Sequence, residues 1–279
     1  ERAAEQVRRA RHSHRVLWGS AVGVVVGLGL MVWFGSDLIV EWAVARIPVQ
    51  WEQKLGETVY QDFLSKETVL KDGPAVSAVQ EMTQRMTAKI PNNPYTFQVS
   101  VVQSPVVNAF ALPGGYVVVF TGLMKKAESG EEVAGALSHE LNHVLQRHGM
   151  ERLVKMMGVA AVVSILVGDQ QGLIGLARQL GLELATLKFG REQETEADVT
   201  GIRLLSDARI APDGMIRFFE RLSEKDKERV ELFSSHPMSA ARAGRLKAEL
   251  AALPKQTPEP FTFEWKGVQD SLGASEPKK

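Results

Sequence analysis

The sequence predicts an α+β domain in which a small β-sheet lies beside a metal-binding helix, preceded by one N-terminal transmembrane helix. Three observations carry this. His139-Glu140-Leu141-Asn142-His143 sits inside a helical pattern, two extended stretches flank a Pro-Gly-Gly turn shortly before it, and Val16 to Ser36 holds no ionisable side chain.

Composition sets the bounds. A chain of 279 residues that is 44% hydrophobic can bury one sizeable core and carry an anchor besides. Lysine plus arginine equals aspartate plus glutamate, 33 each, so the positive excess that nucleic-acid binding needs is missing and nucleic acid is dropped as a partner. Without cysteine, disulfides and thiolate metal sites are excluded, and any metal must be held by His, Asp or Glu. The chain opens on Glu1 rather than methionine, so a natural segment upstream is expected.

Residues 1–15 are polar and basic, with Arg2, Arg8, Arg9, Arg11 and Arg15. Residues 16–36 then run about 20 residues of Val, Leu, Gly and Trp, the length that spans the hydrocarbon of a bilayer. A core helix of that length would show a polar face. A cleaved signal peptide would have a shorter apolar run, without Asp37 and Glu41 before the small residues Ala43-Val44-Ala45. The preceding arginines predict a cytoplasmic N-terminus, which puts the rest of the chain across the membrane, in the periplasm if the source is a bacterium. Trp33, Trp42 and Trp51 mark the far interface, and residues 37–74 read as a juxtamembrane helical segment ending at the Gly73-Pro74 break.

From Ala75 to Ile90, Val76, Val79, Met82, Met86 and Ile90 recur at helical spacing and predict a helix packed on the core. Tyr95 to Val102 alternates as a strand. Val106 to Leu112 and Tyr116 to Phe120 read as a hairpin around Pro113-Gly114-Gly115. A strand edge beside a metal can bind an extended substrate through main-chain hydrogen bonds, and Asn108 and Ala109 are the candidates for that edge. An ordinary core hairpin is the competing reading.

Thr121 to Ala127 predicts a short helix, and Ser129 with Glu132 a capping box that starts the next. Val133, Leu137, Leu141, Val144 and Leu145 continue the helical period through the motif, so His139 and His143 present two imidazoles from one face. Glu140 flanks them in the position of a general base for metal-assisted hydrolysis. His148, about 140° further round, reads as a hydrogen-bonding group behind the metal rather than a ligand. Met156 to Gly168 is apolar but too short to span a bilayer; burial is favoured over a lid dipping to the membrane. Catalytic zinc keeps three protein ligands and one open position. Glu194 can be the third, and Asp198, one helical turn on, can accept the free N–H of a ligating histidine, His139 by preference. Glu192 and Glu196 read as a solvated face. His236, in Ser-Ser-His-Pro-Met, can stabilise an oxyanion, swing onto the metal and hold the enzyme latent, or merely brace its loop. Pro237 would keep it extended, and Arg242 could pin the loop through a carboxylate.

Asn108-Ala-Phe-Ala-Leu-Pro-Gly-Gly, the His139 motif, Phe189-Gly-Arg191 with Glu194 and Asp198, and His236-Pro237 followed by Arg242 resemble, in that order, the membrane-associated zinc endopeptidases of family M forty-eight. The resemblance spans roughly residues 50–253. It implies a zincin-like (gluzincin) metalloprotease domain, assigned here to 75–253, with one zinc on His139, His143 and Glu194, Glu140 as base, and Arg191 among the supporting residues. The single expected span is similar to that of Oma-type and BepA-like members rather than multispanning ones. It implies hydrolysis of unfolded or damaged membrane and envelope proteins; the alternative is a metal-bound chaperone or adaptor with little proteolysis. Residues 254–279 form a Pro-, Lys- and Glu-rich tail in which Phe261 to Trp265 should dock as an extended segment and Gly273 to Lys279 should be disordered.

Overall fold

The computed structural model describes residues 37–180, 188–225, 232, 236 and 240–274. The expected anchor at 16–36, the basic segment before it and Pro237 lie outside the described residues. Among the described residues no helix is long and apolar enough to cross a membrane. The chain divides into two compact units, 1–46 and 47–279. In the first, 37–44 are helical and the Arg46 guanidinium lies 3.6 Å over the Trp42 ring.

The second unit is built on a four-stranded sheet. Helix α1 (Val49–Leu64) leads to β1 (Val69–Leu70), α2 (Pro74–Thr87), β2 (Gln98–Val102), β3 (Ala109–Leu112) and β4 (Tyr116–Phe120). The spatial order is β1-β2-β4-β3, with β2 parallel to β4 and β3 antiparallel to it. The hairpin expected around Pro113-Gly114-Gly115 is therefore present, and β1 is an element that a single Val-Leu pair was too short to announce. Central β4 is buried along its length, because both faces are covered; hence its unbroken Tyr-Val-Val-Val-Phe run. On one face α1 packs Phe63 against Phe110 and Phe120 and Tyr60 against Tyr116. On the other, Val101, Val117 and Val119 join Val79, Met82 and Met86 of α2 in the main core. Gly114, at φ +83°, cannot carry a side chain: a Cβ would come within 2.5 Å of Gln53 Cα in α1.

Helix α3 (Thr121–Lys126) precedes α4 (Gly130–Leu145), which carries the histidine motif and is buried almost throughout. Gly135 lets the later helix Asp213–Lys225 approach, since a Cβ there would lie 2.6 Å from Met215 Cα. The expected capping box is not made. Ser129 is the N-cap residue but its hydroxyl makes no cap bond, and Glu132, drawn to the Arg221 guanidinium, accepts instead the Glu128 N–H at 2.8 Å.

Next come α5 (His148–Met157), α6 (Val159–Val167), α7 (Gln170–Leu180), α8 (Arg191–Asp207) and α9 (Asp213–Lys225), then α10 (Ala240–Ala252) and α11 (Trp265–Ala274). The burial expected for 156–168 is only partial. Ala161 and Ile165 are buried, but Val163, Leu166 and Val167 face outward, Val167 at 72% exposure, because the neighbouring helices α5 and α7 cover only part of its surface. The tail also departs from expectation. Phe261 and Phe263 do dock, with stacked rings 4.8 Å apart, but Trp265 opens a helix that buries Val268 and Leu272, so Gly273 and Ala274 are helical.

Candidate metal centre

Helix α4 supplies His139, Glu140 and His143, and α8, crossing it, supplies Glu194 and Asp198. Ser138 fixes the crossing by donating to the Gly201 carbonyl at 2.9 Å. The two imidazoles turn the same edge inward: His139 Nε2 and His143 Nε2 are 3.0 Å apart. Glu194 Oε2 lies 3.6 Å from His139 Nε2 and Oε1 3.7 Å from His143 Nε2. His236 joins them, its Nδ1 3.1 Å from His139 Nε2 and 2.9 Å from Glu194 Oε1. His139, His143, Glu194 and His236 are all buried, and each offers one ligating atom within 4.8 Å of the others. Ring nitrogens facing one another compete for few protons, and the Glu194 carboxylate is turned in among them. Such a crowd of lone pairs away from water fits a divalent cation.

The remaining carboxylates divide into two kinds. Both oxygens of Glu140 are buried without hydrogen-bond partners, and burial raises its pKa against the pull of His236 and His139. Asp198 is held from behind: Arg242 donates from Nε to Oδ2 at 2.7 Å and from Nη2 to Oδ1 at 2.8 Å. Burial opposes its ionisation, but His139 and Arg242 outweigh it and lower the pKa. Arg242 also lies 2.5 Å from Glu194. Burial, reinforced by the charges of His139 and His236, keeps the His143 pKa well below the usual imidazole value, so its lone pair is available to a metal.

Other expected residues fall as follows. His148 opens α5 with its Nδ1 2.9 Å from His143 Nδ1, on the ring edge away from the cluster. Its Nε2 lies 3.4 Å from Glu196, whose side chain stays exposed on the solvated face. Asn108 has a buried side-chain oxygen with no partner, while its carbonyl accepts the Phe120 N–H at 3.1 Å. Ala109 begins β3, the outer strand beside α4. Arg191 is exposed at the first residue of α8, three residues short of the turn that faces the cluster, and does not join it. Sequence reasoning missed the stacking of Phe189 on His143, with ring centroids 3.9 Å apart; nothing in a lone aromatic before Gly190 signals it.

An α+β domain whose buried helix offers His-Glu-x-x-His to a glutamate on a crossing helix has the form of a zincin-like metallopeptidase. The description Peptidase family M48 matches residues 75–250, and the chain belongs to that family of peptide-bond hydrolases. It is 26% identical over 235 residues to the mitochondrial metalloendopeptidase OMA1 of Schizosaccharomyces pombe, covering 80% of this chain and 68% of that one. It is 25% identical over 250 residues to the beta-barrel assembly-enhancing protease of Yersinia pestis, covering 84% of this chain but only 51% of that protein. With the metalloprotease LoiP of Escherichia coli it shares 29% identity over 208 residues, 71% of this chain and 80% of that one.

Proposed function

We propose that this chain is a membrane-anchored zinc endopeptidase that hydrolyses unfolded or damaged membrane and envelope proteins, with its catalytic domain in the bacterial periplasm. The observation that carries the reading is the buried convergence of His139, His143 and Glu194 beside the unpartnered carboxylate of Glu140. The anchor rests on the apolar run at 16–36, and the orientation on the arginines before it. The names of two relatives, one mitochondrial and one concerned with β-barrel assembly, support a membrane setting.

His139, His143 and Glu194 would hold one zinc. Bound there, the metal supplies acidity to water near neutral pH and polarises the substrate carbonyl. Glu140 takes the proton of the attacking water and returns it to the leaving nitrogen. Asp198 orients His139, Arg242 keeps Asp198 ionised, and Phe189 braces the ring of His143. Asn108 and the β3 edge receive the substrate main chain, and His148 steadies His143 from behind.

His236 holds the site latent. Its imidazole stands among the ligating atoms, and the same segment reaches the substrate edge, where Leu232 donates its N–H to the Val107 carbonyl at 3.3 Å. Once displaced, His236 is within reach of the oxyanion. The test incubates the full chain, in detergent, with an unfolded protein with and without a chelator. Chelator-sensitive cleavage is expected; binding without cleavage at several pH values would favour the chaperone or adaptor.

A further inference from the structure

A groove of about 880 Å³ runs along the second edge of the sheet, away from β3. Strand β1 pairs only with Val101 and Val102, so among the described residues no strand lies on the open side of Gln98, Val99 and Ser100. The phase of the ladder is set: Gln98 donates its N–H to Gly115 on the β4 side at 2.9 Å, and Gln103 donates to Thr68 on the opposite side at 2.8 Å. Val99, in step with Gln103 four residues on and out of step with Gln98, therefore turns its N–H and C=O to the open side.

The walls match that edge. Helix α1 forms one and α2 the other, since α1 covers one face of the sheet and α2 the opposite face. Gln61, Gln80, Gln84 and Gln98 line the groove with amides, and no lining residue is Asp, Glu, Lys, Arg or His. Amides both donate and accept, so such a lining can pair with main-chain groups whatever side chains accompany them.

We infer that this groove is an exosite that holds an extended stretch of unfolded polypeptide by strand addition to Gln98–Ser100. The inference rests on the reading of the protein as a peptidase of unfolded chains. A neutral saccharide would also suit amides, but an open strand edge presents its donors and acceptors at the spacing of another strand, which favours polypeptide. A site remote from the cleavage point would tether long chains and leave short peptides unaffected.

The test compares an unfolded protein with a six-residue peptide, using the full chain. Gln61→Ala with Gln84→Ala, both at exposed positions, should raise KM for the unfolded protein about threefold to tenfold, the scale of one lost hydrogen bond, with kcat and peptide turnover unchanged. Val99→Pro, which removes the N–H on the open side, should do the same if it folds. Hydrogen exchange gives an arm independent of hydrolysis: in the Glu140→Gln protein, unfolded polypeptide should slow exchange at Val99. No protection there, protection by a neutral oligosaccharide instead, or equal losses on both substrates would overturn the exosite. A chain that protects Val99 yet cleaves nothing would overturn the peptidase reading and leave the exosite standing.

Discussion

Asp198 stands behind His139: its Oδ1 lies 3.0 Å from the ring Nδ1, while Nε2 on the far edge of the same ring faces His143. The carboxylate thus selects which nitrogen is offered to a metal, and Arg242 holds the carboxylate in place. Asp198→Asn should keep the fold and weaken metal affinity by about 10- to 100-fold, the usual scale for a group that orients a ligand. Competition with a chromophoric chelator measures it; unchanged affinity would show that packing alone sets the ring.

Glu140→Gln preserves shape and leaves His139, His143 and Glu194 untouched. Metal content should persist while hydrolysis drops by about 10²- to 10⁴-fold, the contribution of a positioned base. Metal analysis beside a peptide assay separates the two, and near-normal turnover would rule out the proton-transfer role.

Glu194→Ala should lose metal, whereas Glu192→Ala, at an exposed position on the same helix, should not. Equal loss from both would mean that the helix acts through overall charge rather than through one ligand.

His236→Ala separates latency from catalysis. With latency dominant, activity against an unfolded protein should rise. Turnover of a small peptide should fall by about ten- to a thousandfold if oxyanion stabilisation dominates. Unchanged rates on both, with metal retained, would reduce His236 to a loop contact.

Glu52 of α1 gives a pH dependence away from the metal. It is 1% exposed and accepts Tyr95 Oη at 3.1 Å and Arg147 Nε at 3.0 Å. Burial still prevails and raises its pKa above the ordinary carboxylate value. The folded chain therefore holds this proton more tightly than the unfolded one. The resulting stability is fully present below the unfolded pKa and is lost as pH rises through the folded one. Glu52→Gln has no such titration, so Tm should fall less than in the parent from about pH 4 upward. Parallel Tm profiles would assign the slope to other groups.

The histidine pair and its flanking glutamate were legible because four residues make nearly one helical turn, so spacing alone puts His139 and His143 on one face and Glu140 beside them. The β3–β4 hairpin was legible from its glycines, and Glu194 with Asp198 from the same one-turn rule. Local rules do not reach contacts between distant segments. Glu132 left its cap for Arg221, and Phe189 found the ring of His143. Trp265 began a helix where composition promised an extended tail. Each outcome turned on which groups burial brought together, since a buried charge or a large apolar ring takes the best partner available in space. The sequence by itself determined the metal chemistry and the helix that bears it. The tertiary structure alone decided that His236 stands among the ligands and that β2 keeps an open edge, because both depend on how far the chain has to return before its segments meet.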